Sequence, residues 1–385
     1  MYLQYMYLLL ALIAPALLWR VGDSLKDGGG LGDESSMADP ITDMQTLEVV
    51  VPVRNEESSL SNLLSSLSRQ RISSSLLTVT VVDDSSNDGT VRVADSFGVN
   101  VVSARELEPG YNPKSNALAS YQSQLEGEVV VFVDADVTLL DGEFLDKLRT
   151  TQLKSEKCLL SVQPYHRCGS ISESLSLFPN LVALMGSGAF SIWNPRHHST
   201  VAFGPVISVN KAIYQKVGGH RRIIKDVLDD AGLARSFLNS GCMVKVFAGR
   251  SEVTFRMYPQ GLRQLVQGFM KNLALGAFRT SLIPGTLSFL WVVGFVGSIV
   301  SLISRLGSSR MLLSFLTIAA GAAVVLFMVE TFVLGRQIGK YSPIWYLLSP
   351  LALLFFMFLF ASSIVKVYLA RSIAWKDRSI SLGES

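Results

Sequence analysis

Three short apolar runs, each leading into acidic residues, constrain this chain more than any other feature of its sequence. Residues 47–53 (LEVVVPV) lead to Arg54-Asn55-Glu56, residues 77–82 (LTVTVV) to Asp83-Asp84, and residues 129–133 (VVVFV) to Asp134-Ala135-Asp136. β-branched residues fit a pleated surface, and runs with this much apolar character read as strands covered on both faces. Helical patterns separate them, over about 57–69, 89–96 and 114–125. Strand alternating with helix predicts an α/β fold: a doubly wound, mostly parallel sheet with helices on both faces. Ligands of such sheets bind beyond the carboxyl ends of the strands. The acidic clusters fall there.

The rest of the chain has a different character. Mean hydropathy is +0.36 and 49% of the residues are hydrophobic, more apolar surface than a soluble protein of 385 residues needs, so part of the chain is expected in lipid. Residues 1–20 form an apolar N-terminal segment, read as an uncleaved membrane anchor. A cleaved signal peptide would have a basic stretch before the apolar run and a small-x-small site after it. A Gly/Asp/Ser-rich linker occupies 21–46, the α/β domain 47–257, and an amphipathic, interfacial segment 258–280. That segment sets Leu262, Leu265, Val266, Phe269, Leu273 and Leu275 between Arg263, Lys271 and Arg279. Within 281–366 three stretches reach spanning length, 282–303, 311–334 and 344–365, followed by a basic tail at 367–385. The expected location is a multi-pass cell-membrane protein with its α/β domain cytoplasmic. Three full spans then leave the tail outside, against the positive-inside rule, unless one stretch is re-entrant or interfacial. A net charge of +3 is too small to make nucleic acid a partner, and Cys158, Cys168 and Cys242 show no metal or disulfide spacing.

Asp134 and Asp136, two residues apart at a strand end, suit an oxygen-loving divalent cation, Mg²⁺ or Mn²⁺, which can neutralise a departing diphosphate. The segment 51–56 can hold a base and ribose. In the loop 83–90, Asp84 can accept the imino N–H of uracil and Asp83 can bind a sugar hydroxyl; Asp88-Gly89 also has the form of a capped turn.

In order and spacing, P-V-R-N-E at 52–56, V-V-D-D-S-S-N-D-G-T at 81–90, K-S-N-A-L at 114–118 and F-V-D-A-D-V at 132–137 resemble the family 2 glycosyltransferases of the GT-A fold. The resemblance covers about 47–255. It extends to the bacterial diaponeurosporenoate glycosyltransferases of carotenoid pathways through residues 159–166 (LLSVQPYH), 203–206 (FGPV), 218–220 (GGH) and 255–258 (FRMY), and through the layout of an anchor first and spans last. It implies a hexosyltransferase that takes a UDP-sugar, with glucose expected, as donor and a lipid as acceptor. Pro52, Asn55, Glu56, Asp83 and Asp84 would surround the nucleoside. Lys114 would face the diphosphate, although Pro113 stands where the family usually has glycine. Asp134 would face the donor ribose or sugar and Asp136 the metal. Gln163, Phe203 and Gly204 would line the sugar and acceptor side, and Gly218-Gly219 would support the acceptor loop. His166 and His220 are polar contacts or structural residues.

Asp229-Asp230 matches the family's acidic pair, with Asp230 in the base position. The family's Gln-x-x-Arg-Trp element is missing, which disfavours a processive polymer synthase; Lys271 occupies that region as a candidate cation. Trp375-Lys-Asp-Arg378 resembles a Trp-Lys/Arg-Gly-Arg ending, with Asp377 in place of glycine. A single displacement with inversion is expected. The acceptor would be a carotenoid carboxylate or hydroxyl; a ceramide, diacylglycerol, hopanoid or polyprenyl phosphate is the alternative, and a non-catalytic protein that kept the nucleotide-binding fold a third reading.

Overall fold

The computed structural model describes residues 2–23, 45–277, 279–306, 314–366, 372–375 and 378–381. Most of the linker read at 21–46 and much of the basic tail, including Lys376 and Asp377, lie outside them. The chain forms two compact units: one of residues 1–22, 167–195 and 258–365, the other of residues 23–166, 196–257 and 366–385.

In chain order the elements of interest begin with α1 (Tyr2–Ala11) and α2 (Ile13–Leu17). Next come β1 (Leu47–Val53), α3 (Glu57–Leu67), β2 (Leu77–Asp83), α4 (Thr90–Ser96), β3 (Asn100–Ser103), α5 (Pro113–Tyr121), β4 (Val129–Val133) and β5 (Val137–Leu139). They continue with α6 (Phe144–Lys154), β6 (Cys158–Gln163), β7 (Tyr165–Arg167), α7 (Leu177–Ser187), β8 (Val206–Asn210), α8 (Lys211–Lys216), α9 (Gly219–Arg222), α10 (Asp229–Asn239), β9 (Met243–Ala248) and β10 (Val253–Phe255). The last are α11 (Leu262–Ala277), α12 (Leu282–Leu306), α13 (Phe315–Ile338), α14 (Pro343–Leu347) and α15 (Ser349–Val365).

The second unit is built on a seven-stranded sheet in the order β3-β2-β1-β4-β8-β6-β9. β1 runs parallel to β2 and β4, and β6 parallel to β9, while β8 is antiparallel to both β4 and β6. The mostly parallel, helix-covered sheet expected from the sequence is therefore present. Each face has its own apolar core: Val49, Val51, Val131 and Val133 point into one, Val50, Val130 and Phe132 into the other. This alternation explains why the strands are apolar at nearly every position.

Two geometric facts position the site. The β3-β2-β1 winding reverses between β1 and β4, so the switch point of the sheet lies between them. Moreover, β1 stays in register with β2 to Val53 but pairs with β4 only as far as Val50, opening a cleft between their carboxyl ends. Pro52, which has no N–H to donate, sits past the end of that second ladder. At the opposite strand end the fully buried Glu48 accepts from Tyr121 Oη (2.8 Å) and the backbone N–H groups of Glu126 (2.7 Å) and Gly127 (3.0 Å). A Cβ on Gly127 would stand 2.6 Å from that of Glu48, so glycine is required there.

Among the described residues of the first unit, α12 and α13 are the helices long and apolar enough to cross a membrane. The 344–365 stretch, expected as a third span, breaks at Leu348 into α14 and the 17-residue α15, with Pro350 unable to donate into a continuous ladder. The N-terminal segment likewise divides at Leu12 into two short helices. Gly294 and Gly297 let Leu10 and Tyr7 of α1 approach α12 closely, and Gln4 Nε2 donates to Ser301 Oγ (3.1 Å). Phe295 and Phe327 stack across α12 and α13 at 4.9 Å, beside a hydrogen bond from Trp291 Nε1 to Glu330 (3.1 Å). Large apolar side chains such as Leu282, Phe289, Ile303, Phe315 and Val325 face outward. Residues 167–195, which composition placed inside 47–257, belong to this unit, where α7 packs on α12 and α13.

The amphipathic segment is α11, and part of its apolar side packs internally, while Leu262 is exposed and Val266, Leu273 and Leu275 are half-buried. Leu265, Phe269 and Ala274 are buried, and Ala274 N donates to Ser363 Oγ of α15 (3.0 Å). The expected interfacial face is thus in part a packing face.

Because Glu48 satisfies three donors, Glu48→Ala should strand the two backbone N–H groups, leave Tyr121 Oη with Thr80 Oγ1 (3.3 Å), and cost about 3 kcal/mol or more. A thermal melt followed by near-ultraviolet circular dichroism checks this, and an unchanged melting temperature would refute the role.

Candidate active site

Lys114 is the centre of the site. Asn112 caps α5, its Oδ1 accepting from the backbone N–H of Lys114 (3.0 Å) and Ser115 (3.2 Å). Pro113 is the first helical residue, where a missing N–H costs nothing and the fixed φ is already helical. The departure from the family's glycine is therefore a well-formed helix start. Asn112 Nδ2 in turn donates to the carbonyls of Asp226 (2.9 Å) and Val227 (3.1 Å), and its backbone N–H to Ile224 O (2.7 Å). One residue thereby ties the start of α5 to the segment that delivers α10. The sequence reading missed Asn112, although Asn-Pro ahead of a helical pattern is a capping signal.

The result is a carboxylate cage. Lys114 Nζ lies 2.6 Å from Asp134 Oδ1 and 3.4 Å from Asp229 Oδ2, and donates to Gly204 O (3.4 Å). Burial alone would lower its pKa; Asp134, Asp229 and Asp230 outweigh that and raise it well above the usual lysine range. The magnitudes agree with this direction. Each carboxylate about 4 Å away is worth roughly 4 kcal/mol at an effective dielectric of 20, and together they exceed the several kcal/mol lost on desolvating one ion. Lys114 is cationic throughout the physiological range.

Asp134 and Asp136 follow β4 in a tight turn pinned by Asp134 N to Pro205 O (2.9 Å), Val137 N to Asp134 O (3.1 Å) and Arg256 N to Asp136 O (3.3 Å). Buried Ala135 lies between them. Burial, then Asp134 and Glu56, pushes the Asp136 carboxyl up to about 8; Asp134, 31% exposed, is also raised by burial against the pull of Lys114. Glu56 adds to the negative field at both. Surplus negative charge on hard oxygen donors at a strand end fits a divalent cation, with Asp134 and Asp136 as its holders. Among the described residues no cluster of three or more His, Cys, Asp or Glu has metal-binding geometry, so water or substrate oxygens would complete the shell.

Asp229 and Asp230 open α10. Asp230 Oδ1 accepts from the N–H of Ala231 (2.7 Å), and burial followed by Asp229 pushes its carboxyl up to about 6. A Cβ on Gly204 would lie 3.3 Å from Lys114 Nζ and 3.6 Å from Asp230 Oδ2, so this glycine keeps the space between them open.

The β1 and β2 loops are stitched together. Asn55, at φ +52°, donates from its N–H to Ser86 Oγ (3.0 Å) and accepts from Asn87 N (2.8 Å). The N–H of Glu56 reaches Thr90 Oγ1 (2.8 Å), and Ser59 Oγ donates to the Glu56 carboxylate (2.5 Å). Asp83 accepts from Ser86 N (3.2 Å), and Asp84 pairs with Arg54 at 3.7 Å. Arg54, given no role from the sequence, also donates to Asp84 O (2.5 Å). Asp83 and Asp84 therefore carry loop-building duties besides any contact with a base.

Other candidates are placed differently. The N–H of Phe203 donates to Ser161 Oγ (2.8 Å), and Gln163 O accepts from Gly249 N (2.8 Å). Gly218 (φ +97°) and Gly219 (φ +53°) make the turn into α9, and a Cβ on Gly219 would clash with Tyr214 and Gln122. Both glycines shape this turn through backbone conformation and close packing. His220 Nδ1 is 2.6 Å from Tyr214 Oη, with the ring edge on Phe132, and burial holds its pKa down to about 3. His166 packs edge-on to Phe255. Both histidines are structural. The backbone of Lys271 lies in α11, but its side chain lies outside the described residues.

Residues 48–175 match the model of the glycosyl transferase family 2. The chain is 32% identical over 343 residues, 88% of its length and 89% of the relative's, to 4,4'-diaponeurosporenoate glycosyltransferase of Staphylococcus aureus strain USA300. It is 31% identical, at the same coverage, to the enzyme of that name from the bovine strain RF122. Among solved structures, mannosyltransferase PcManGT from Pyrobaculum calidifontis, in complex with GDP-Man and Mn²⁺, superposes with a TM-score of 0.58 at 16% identity, covering 95% of this chain and 99% of that one. The chain belongs to the family 2 glycosyltransferases and is an enzyme of that class. Its relatives in Staphylococcus are named for a carotenoid carboxylate.

If Asn112 sets the position of Lys114, Asn112→Ala should cost about 1–2 kcal/mol of stability through the lost cap. Turnover should fall a further ten- to hundredfold, the scale of a small displacement of a catalytic group. A kcat measured per folded enzyme that matches the parent's would show that the cap is structural only.

Proposed function

We propose that the chain is an inverting hexosyltransferase that moves a sugar, with glucose the expected one, from a UDP-linked donor to a carotenoid-type lipid through a carboxylate or hydroxyl. The observation that carries this reading is Lys114 held between Asp134 of the β4 turn and Asp229 of α10, with Asp230 across the gap kept by Gly204. It joins a cation for a leaving diphosphate to a carboxylate for an acceptor at the switch point of the sheet. The relatives' substrate name supports the lipid class.

Asn55, Glu56 and the loop from Asp83, with Pro52 beneath, would hold the nucleoside, and Lys114 would turn from Asp134 toward the diphosphate oxygens. Asp134 and Asp136 would hold Mg²⁺ or Mn²⁺, which when bound offsets the charge that develops on the departing nucleoside diphosphate. Asp230, with a carboxyl near 6, is largely ionised at neutral pH and able to take a proton from a hydroxyl acceptor. Gln163, Phe203 and Gly204 would line the acceptor side. An acceptor carboxylate, with a reference pKa near 4, arrives ionised and needs no base.

We read the protein as multi-pass in the cell membrane, with the catalytic unit cytoplasmic. Two helices of spanning length and outward-facing Leu, Phe, Ile and Val support this, since so much exposed apolar surface is costly in water. An insoluble acceptor supplies the reason.

Membranes incubated with labelled UDP-glucose and a panel of lipid extracts test the reading. Label should enter carotenoid lipids; label confined to ceramide, diacylglycerol, hopanoid or polyprenyl phosphate would move the activity to that acceptor. A chelator, or Asp136→Ala in folded protein, should lower transfer at least about hundredfold, the scale of losing several kcal/mol of charge stabilisation. Undiminished transfer in both would remove the metal from the reaction.

With a hydroxyl acceptor, kcat should rise about tenfold per pH unit below 6 and level off above it, because only the ionised Asp230 accepts a proton. Asp230→Asn should flatten that profile and cost about 10²–10⁴-fold, yet only slow a carboxylate acceptor. Equal losses on both acceptors would sink the assignment. The raised folded pKa penalises the native state above about 6, and the penalty fades as pH falls toward the unfolded value. Asp230→Asn should therefore melt above the parent at pH 8 and level with it near pH 4.

A further inference from the structure

The amino ends of β6 and β9 lie at the end of the sheet opposite the active site, since β6 and β9 run in the direction of β1 and β4. A shallow pocket of about 380 Å³ opens there, lined by residues 153–158, Met243 and Lys245. Its charge is one-sided. Lys154, Lys157 and Lys245 face it, against the single carboxylate of Glu156.

Lys245 is unlike the other two. Lys154 and Lys157 are exposed, and Lys154 complements the carboxyl end of α6, where a cation is favoured. Lys245 comes from β9, and with only 4% of the residue exposed its stem is buried while it lines the pocket. The backbone of His198 bridges to that of Lys245, and the His198 pKa is pushed down by burial and then by Lys245 and Arg196. A lysine with a buried stem, facing a pocket with two further lysines, favours an anion as its partner. A second polar group lines the same pocket: the buried hydroxyl of Ser155, whose neighbour is the weakly hydrogen-bonding Cys158 thiol.

We propose that this pocket binds the phosphate monoester group of a small anion or of a lipid headgroup. Lys245 supplies a charge on a buried stem, Ser155 Oγ a hydrogen bond, and Lys154 and Lys157 a flexible basic rim. A phosphate has the compact charge and several acceptor oxygens that such a donor set would match. The site uses none of the active-site residues, so it is separable from the transfer reaction.

The full chain in neutral detergent micelles provides the test. Its melting temperature is followed against inorganic phosphate at constant ionic strength, and separately against short-chain phosphatidic acid. A site of this kind raises the melting temperature of the parent by a few degrees through mass action. Lys114→Met, which disables the diphosphate end of the active site, should keep the rise, and Lys245→Met should lose it. A rise with inorganic phosphate identifies a free anion; a rise with phosphatidic acid alone identifies the headgroup. Absence of a rise with both, or an undiminished rise in Lys245→Met, overturns the proposal. Should Lys245→Met not fold, the exposed double substitution Lys154→Ala/Lys157→Ala takes its place, and it should raise the half-saturating concentration about tenfold, equivalent to 1.4 kcal/mol.

Discussion

The candidate site depends on one ammonium in a ring of carboxylates. Lys114 is the point at which three separate pieces of chain meet: the turn after β4, the start of α10, and the strand-leading loop at Gly204. Without the cation, Asp134, Asp229 and Asp230 would repel one another across a partly buried space. Without the carboxylates, a lysine there would be driven to shed its proton. Each side therefore makes the other tolerable. A substrate diphosphate would enter by exchange, offering Lys114 new oxygens for those it leaves. The negative charge thereby released at Asp134 and Asp136 is the charge a divalent cation can take up.

That exchange needs precise placement, and the supports are mostly backbone. Asn112 holds both the first turn of α5 and the approach to α10. Pro205 and Arg256 grip the Asp134–Asp136 turn from two sides. The β1 and β2 loops are laced by Asn55, Ser86, Asn87 and Thr90. Anchored this way, the functional side chains sit on loops that the sheet fixes at its switch point. They remain at the surface, yet their supports are rigid.

The parts of this that the sequence displayed are those governed by local pattern. β-branched runs gave β1 and β4 to the residue because both faces of those strands are buried, so the apolar signal starts and stops with the strand. Asp134 and Asp136 were visible because their chemistry is tied to a strand end, whereas Lys114 came into view only through the resemblance of residues 114–118 to the family. What local pattern hides is tertiary pairing. Nothing in the composition around Asp229 says that it meets Lys114, and nothing near Asn112 says that it spans more than a hundred residues to Asp226. The apolar helices show the same limit. Hydropathy cannot distinguish a continuous span from the break at Leu348, nor an interfacial face from the buried Leu265 and Phe269 of α11. Gly218 and Gly219 looked like part of the acceptor loop by resemblance, yet their positive φ values and tight fit against Tyr214 explain them without a substrate.

Adjacent in sequence, Asp229 and Asp230 face different surroundings, and this is how one acidic pair can do two jobs. Asp229 has an ammonium 3.4 Å away and is spoken for electrostatically. Among the described residues Asp230 has its neighbour's N–H as a direct donor, and its carboxyl rises because burial and Asp229 both disfavour a second negative charge. In the proposed reaction, these different surroundings would make Asp229 the anchor and Asp230 the proton acceptor. The same logic makes the requirement for a base a property of the acceptor as much as of the enzyme. A hydroxyl draws on the pair's asymmetry, whereas a carboxylate calls only on Lys114 and the acids of the β4 turn. A family that glycosylates ionised lipids could therefore keep the anchor under stronger constraint than the base, with the fold, the cleft and the diphosphate site unchanged.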